Sequence, residues 1–329
     1  MVDVARLAGV SPQTVSRVVN GAVNVSPEIR ARVEHAIEQL QYTRNAAASA
    51  LASNRTRSIG VVSFELSVIG PSVALYGISE EARRQGYATR LVTLDSLEPE
   101  PVRAAFRTIG PDEVDGIIVL APLEDALAVV ADLHGDIPVL TFQQGSPAHE
   151  SSISIDEVLG ARMAVEHLLA LGHQTVWHVQ GPAGWMATDA RTRGWREALS
   201  LAGRPAPPLI SARDWSPDEG YRIGRELAAR REVTAIFAAN DHFALGVMKA
   251  FDDVGRHAPE DFSIVGFDNL RESAFFRPAL TTVTLDFEAV GQVAVSTVLE
   301  RIGGAPAHVI PLIRPELVVR ETSAPPRRR

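Results

Sequence analysis

Cysteine is absent from the 329 residues, so disulfides, thiol catalysis and cysteine-ligated zinc are excluded. Aromatic residues make up 6% of the chain, so the few tryptophans can be weighed individually. No apolar run reaches the length of a membrane-spanning helix, and no basic segment followed by an apolar core opens the chain. These absences give the expectation of a cytoplasmic protein with no membrane partner. G-x-S-x-G, the P-loop and G-x-G-x-x-G are also missing, and the spacing of the nine histidines, Glu166-His167 and His173 included, matches no metal motif. The expectation is a protein that is not an enzyme and uses no metal and no cofactor.

Net charge is −8, but it is unevenly placed. Residues 1–57 hold seven arginines against Asp3, Glu28, Glu34 and Glu38, a balance of +3 that leaves −11 on the remainder. A small basic head on an acidic body concentrates attraction for phosphate at one end. The basic C-terminal PPRRR is expected to be a disordered tail.

The head reads as two short helices and a third. In DVARLAGVSPQTVSRVVN, Asp3 can cap the first helix, whose apolar side is Val4, Ala5, Leu7 and Ala8. Gly9 supplies the turn, and Ser11-Pro12 begins the second helix as cap and first residue. Val15, Val18 and Val19 fall on one side of that helix, with Pro12, Gln13, Ser16, Arg17 and Asn20 largely on the other. Gln and Arg suit the donor and acceptor pattern of adenine and guanine in the DNA major groove. An ordinary amphipathic helical hairpin fits the same pattern. Ser26-Pro27 starts a helix to about Leu40, with Ile29, Val33, Ala36, Ile37 and Leu40 as its stripe. Residues 41–58 follow, Ala-rich with a lone Leu51, either a linker or a segment that folds on meeting a partner.

From Ile59 the texture changes to ten short β-type runs, near 59–64, 88–94, 116–121, 137–142, 152–156, 175–180, 208–212, 234–238, 262–267 and 281–285. They alternate with helical segments at 71–85, 99–109, 124–133, 157–171, 187–202, 217–230, 241–255 and 287–302. Such alternation predicts an α/β fold with parallel sheets covered by helices, and its length suffices for two lobes. Ligands of such folds lie in the crevice at the carboxyl ends of strands.

The whole pattern resembles the LacI/GalR family of bacterial transcriptional repressors. The motifs that carry the likeness are DVARLAGVSPQTVSRVVNG, VSPEIRARVEHAIEQLQY, AVEHLLALGH, RTRGW, ANDHFALG, SIVGFDN and PALTTVTLDF. Its pocket segments are nearest those of the family's lactose-responsive member. The resemblance implies a helix-turn-helix head at 1–44 and a hinge helix at 45–57. It also implies a two-lobed periplasmic-binding-protein-like body at 58–329, with lobe 1 about 58–156 and 285–313 and lobe 2 about 157–284 and 314–323. It implies base contacts by Pro12, Gln13 and Arg17 and phosphate contacts by Ser11, Thr14, Ser16 and Asn20. Asn45 would cap the hinge helix and Leu51 would wedge into the minor groove. The chain departs from the family in lacking the residues ahead of Asp3 that include a capping Thr, and in reading Tyr42-Thr43-Arg44-Asn45 where a proline is usual.

By the same resemblance the effector site would comprise Arg191, Asn240 and Asp268 for hydroxyl groups, with Trp215 as an aromatic platform and Phe287 as a second apolar contact. Ile69, Gly70 and Pro71 would form the wall from lobe 1, and Asp156 would close the pocket. Helix capping for Asp268 and Asn240, a surface ion pair for Arg191 and half-buried core for Trp215 remain the alternatives. The function implied is a repressor that binds a palindromic operator in double-stranded DNA as a homodimer and answers to a small sugar, a galactoside because Trp215 and Phe287 are both present. Another sugar, a purine-type effector, or a sugar receptor without DNA function are the rival readings. No heptad pattern follows Val319, so a dimer rather than a tetramer is expected.

Overall fold

The computed structural model describes residues 1–19, 22, 24–42, 55–94, 96, 98–120, 137–145 and 147–327. The chain divides into two compact units, Met1–Thr56 and Arg57–Arg329. Asn20, Asn45, Leu51 and the helix expected at 124–133 lie outside the described residues.

The smaller unit contains α1 (Val2–Ala8), α2 (Pro12–Val19) and α3 (Pro27–Gln39). Gly9 ends α1 in the left-handed region at φ 64°, a conformation that costs glycine nothing. The Ser11 hydroxyl accepts from the Thr14 amide at 3.1 Å, and the Ser26 hydroxyl accepts from the Ile29 amide at 3.4 Å, so both serines cap as their sequence contexts predict. Val4, Ala5, Ala8, Val15, Val18, Val33 and Ala36 form the small core. Arg32 reaches back from α3 to donate to the Ala8 carbonyl (Nε, 3.1 Å) and the Gly9 carbonyl (3.2 Å), placing a cation at the negative end of α1. Three local expectations are corrected. Asp3 lies inside α1 and pairs with Arg6 at 3.3 Å, while Met1 occupies the cap position without a side-chain bond. Leu7 and Leu40 point outward, because the three helices converge on the shorter Val and Ala side chains.

The larger unit holds two sheets. The first has the order β2 (Ala88–Leu94), β1 (Ser58–Phe64), β3 (Gly116–Leu120), β4 (Val139–Phe142), β5 (Ser152–Ile153), every pairing parallel. In the second, β7 (Ile210–Ser211), β6 (Trp177–Gln180), β8 (Ala235–Ala238), β9 (Ser263–Asp268) and β10 (Thr281–Thr284) are parallel neighbours in that order. An antiparallel β11 (Glu316–Val318) closes the edge against β10. The central strands β1, β3, β4, β8 and β9 are almost wholly buried, which is why they read as unbroken apolar runs. β11 was missed in the sequence: three residues after a Pro-containing stretch carry no periodicity.

Helices α4 (Ile69–Arg84), α5 (Pro99–Ile109) and α10 (Phe287–Ile302) pack with the first sheet. Helices α6 (Glu157–Ala170), α7 (Met186–Leu201), α8 (Pro217–Ala228) and α9 (Asp241–Asp252) pack with the second. The chain therefore crosses between lobes three times: after β5, after β10, and between α10 and β11. The last crossing runs beside the first, with Ile155 bridged to Ile313.

The C-terminal residues to Arg327 are docked, contrary to the expected free tail. The Ala324 amide donates to the Ser263 hydroxyl at 3.0 Å, and Arg327 pairs with Asp261 at 3.1 Å. Among the described residues no helix is long and apolar enough to cross a membrane, and no group of three His, Asp or Glu side chains is placed to hold a metal.

Candidate effector crevice and recognition helix

The strand ends of the two lobes face one crevice of about 440 Å³. Lobe 1 contributes Glu65, Ser67, Val68, Ile69 and Gly70 after β1, and Gln144 after β4. Lobe 2 contributes Trp185 and Ala187 after β6, Arg213 to Pro217 after β7, Asn240 and His242 after β8, and Asp268 at the end of β9, with Arg191 from α7.

Arg191 organises the floor. It is 3% exposed and donates through Nε to Glu157 at 2.8 Å, through an Nη to Asp268 at 3.2 Å, and through the other Nη to the Ala239 carbonyl. Its guanidinium carbon lies 4.0 Å from the centre of the Phe267 ring. Burial works against its charge, but Glu157 and Asp268 together raise its pKa. Burial also pushes the carboxyl groups of Glu157 and Asp268 upward, opposed in each case by Arg191. A guanidinium has five N–H donors, so these three bonds leave two N–H groups uncommitted. Asp268 holds left-handed backbone at φ 97°, a strained conformation that turns its carboxylate toward the crevice floor.

Asp241, the first residue of α9, braces that turn. Fully buried, it accepts from Thr282 Oγ1 at 2.5 Å, Ser273 Oγ at 2.6 Å and the Leu270 amide at 2.8 Å. Burial pushes its pKa up to about 7.

Asn240 does cap a helix: its Oδ1 accepts from the Phe243 amide at 2.7 Å, while its Nδ2 donates to the Trp215 carbonyl at 3.3 Å. It therefore lines the crevice and also holds the backbone of Trp215. Trp215 lies parallel to Phe243 (13°, centroids 5.6 Å apart) and nearly perpendicular to Trp185 (81°, 5.6 Å). Gly181 permits this approach, since a Cβ there would sit 2.3 Å from the indole. Trp185 in turn meets Phe64, at the end of β1 in the other lobe, with centroids 6.4 Å apart.

Six of the nine expected effector residues thus meet in one crevice: Ile69, Gly70, Arg191, Trp215, Asn240 and Asp268. Three do not. Phe287 opens α10 and is 6% exposed in the core, edge-on to Phe142, because packing of α10 on α4 turns its ring inward. Pro71 is buried within α4 and does not line the crevice. Asp156 caps α6 by accepting from the Leu159 amide at 2.9 Å and borders a separate depression beside Arg193. Trp185, Gln144 and His242 were missed. The strand-end rule would have nominated Gln144, two residues past β4, whereas Trp185 and His242 lie further from the ends of β6 and β8.

On the smaller unit, Ser11, Pro12, Gln13 and Arg17 are exposed and Thr14 and Ser16 half-buried. Gln13 and Arg17 stand one turn apart on a face opposite the buried Val15 and Val18. The Ser11 hydroxyl is occupied by the cap and by Thr14 Oγ1 at 2.9 Å.

An exposed Gln/Arg helix face in one unit and a polar, aromatic-walled crevice in the other define a ligand-responsive DNA-binding regulator. Comparison with known proteins gives its family. Residues 1–45 match the profile described as bacterial regulatory proteins, lacI family, and residues 165–323 match the periplasmic binding protein-like domain. The chain is 33% identical to the lactose operon repressor of Escherichia coli K12 over 326 residues, covering 98% of this chain and 90% of that one. It is 30% identical to the HTH-type transcriptional repressor PurR of Haemophilus influenzae over 97% of both chains. A crystal structure of the Lac repressor dimer bound to operator and the anti-inducer ONPF superposes with a TM-score of 0.86 over 98% of both chains, at 33% identity. The chain belongs to the lacI family of bacterial regulatory proteins.

Proposed function

We propose that this regulator is a cytoplasmic, non-enzymatic repressor that binds a palindromic operator as a homodimer and changes its operator affinity when a galactoside enters the crevice. The observation that carries the reading is the meeting of the Arg191–Asp268 pair with Trp215 in one crevice. Two spare guanidinium N–H groups and a carboxylate take a pair of vicinal hydroxyls, and an indole takes the C–H face of the same ring. The crevice is built from both lobes, so a bound sugar favours one setting of them. Gln13 and Arg17 read bases in the major groove, as the recognition helix of the family does. Tethering two heads offsets the weak grip of one.

The test is operator affinity with and without galactosides. A coupling of roughly 1–3 kcal/mol corresponds to a change of about 5–150-fold. Trp215→Ala is expected to abolish the response, and an unchanged operator affinity with every sugar would refute the galactoside assignment. A purine-type effector is the second reading, favoured by the stacked Trp215–Phe243 pair, which also suits a planar base. The same titration with nucleobases separates the two.

A further inference from the structure

We infer that the depression beside Arg193 is a second ligand site, distinct from the crevice, for a small zwitterion of the α-amino-acid class. The inference stands on different residues from the galactoside assignment and does not depend on it.

The depression has a volume of about 300 Å³, at the lower limit of small-molecule pockets, and shares no lining residue with the crevice. Two of its walls are Asp156, at the start of α6, and Arg193, on α7. The same two elements carry an inner couple, Glu157 and Arg191, which is buried and closed at 2.8 Å. The outer couple is open. Arg193 donates to the Gly145 carbonyl at a long 3.5 Å and forms no ion pair among the described residues. Asp156 commits Oδ1 to the Leu159 amide, and its Oδ2 has no partner among the described residues.

Opposite charges that line one depression without meeting select the chemistry of the ligand. A simple anion drawn to Arg193 is repelled by Asp156, and a simple cation drawn to Asp156 is repelled by Arg193. A molecule of both signs satisfies each. Its carboxylate takes two parallel N–H groups of the guanidinium fork, and its ammonium faces the free carboxylate oxygen. Ile155, Val158 and Leu312 add an apolar wall for a short side chain. The position also bears on the lobe setting. Gly145 and Pro147 follow β4 of lobe 1, Val158 and Arg193 belong to helices of lobe 2, and Ile155 and Leu312 lie in two of the three connections between lobes. A molecule bound there touches both lobes and favours one setting of them.

The test is calorimetric titration of the full chain with each standard amino acid at millimolar concentration, then with the N-acetyl and amide derivatives of any that binds. At least one amino acid is expected to bind, and each derivative, which lacks one of the two charges, to bind about tenfold or more weakly. Arg193→Gln lowers the affinity by a similar factor. So does Asp156→Asn, in which asparagine keeps the helix cap and loses the charge. Trp215→Ala, which alters the crevice, leaves the affinity unchanged. Melting curves of the unliganded variants report whether the fold is intact, and the derivatives test the wild-type chain without any variant. Binding of no amino acid would overturn the inference, as would derivatives that bind as well as their parent. An affinity lost in Trp215→Ala and kept in Arg193→Gln would put the amino acid in the crevice and overturn it too. The galactoside assignment is tested separately, by operator affinity with galactosides.

Discussion

The two units place their candidate functional side chains in opposite ways. In the head, Gln13 and Arg17 stand in solvent on a helix whose stability comes from Val15 and Val18 on the other face. Function and folding use different residues. In the body, Arg191 is 3% exposed, and the atoms that would greet a ligand also neutralise two buried carboxylates. Function and folding use the same residue. Substitutions should therefore separate binding from stability in the head and entangle them in the body.

The largest expected effect tests the entangled side. Arg191→Ala leaves Glu157 and Asp268 buried without their cation, at a cost of about 3–5 kcal/mol. Urea denaturation of the full chain reads this, and a loss confined to ligand affinity would break the contrast. On the separable side, Arg17→Ala should cost about 1–3 kcal/mol in operator binding. Its stability should stay within about 0.5 kcal/mol of wild type. Gel-shift titration and a melting curve on the same preparation check both.

Asp241 sharpens the comparison by pH. Its carboxyl rises from an ordinary 3.8 to about 7 in the folded chain, so between these values the folded state keeps a proton that the unfolded state has released. Stability from this group is greatest at low pH and declines as pH rises toward about 7, by at most about 1.4 kcal/mol per pH unit. Asp241→Asn, which does not titrate, should show a flatter stability profile than wild type over that interval. Parallel profiles would mean that the three donated hydrogen bonds hold the carboxylate charged. The smallest effect is expected from Asn240→Ala, about 1 kcal/mol for a lost helix cap. Because Asn240 also holds the Trp215 carbonyl, ligand affinity should fall alongside the melting temperature.

The fold was legible wherever local chemistry suffices. Ser11 and Ser26 cap helices that open with proline, and both were readable from the pattern. Parallel strands announced themselves as apolar runs because both faces are covered. Phe287 and Asp156 show where this stops. Each follows a strand at a helix start, the position that also brings Asn240 to the crevice. Position along the chain was right, but the rotation of each helix on its sheet decided which way the side chain went. Trp185 was overlooked because its partner Trp215 is thirty positions away and Phe64 lies in the other lobe.

The sequence by itself determined the class of the molecule: a helical head with a polar Gln/Arg face, an alternating α/β body, and the serine caps and the Gly9 turn in their places. Those features depend on residues within one or two turns of each other, where propensity, capping and periodicity act. The tertiary structure alone decided that Arg191 bridges Glu157 and Asp268, that Phe287 belongs to the core, and that two tryptophans meet at a right angle. Such contacts join residues tens of positions apart, and their geometry is set by how whole helices and sheets pack, which no local pattern encodes.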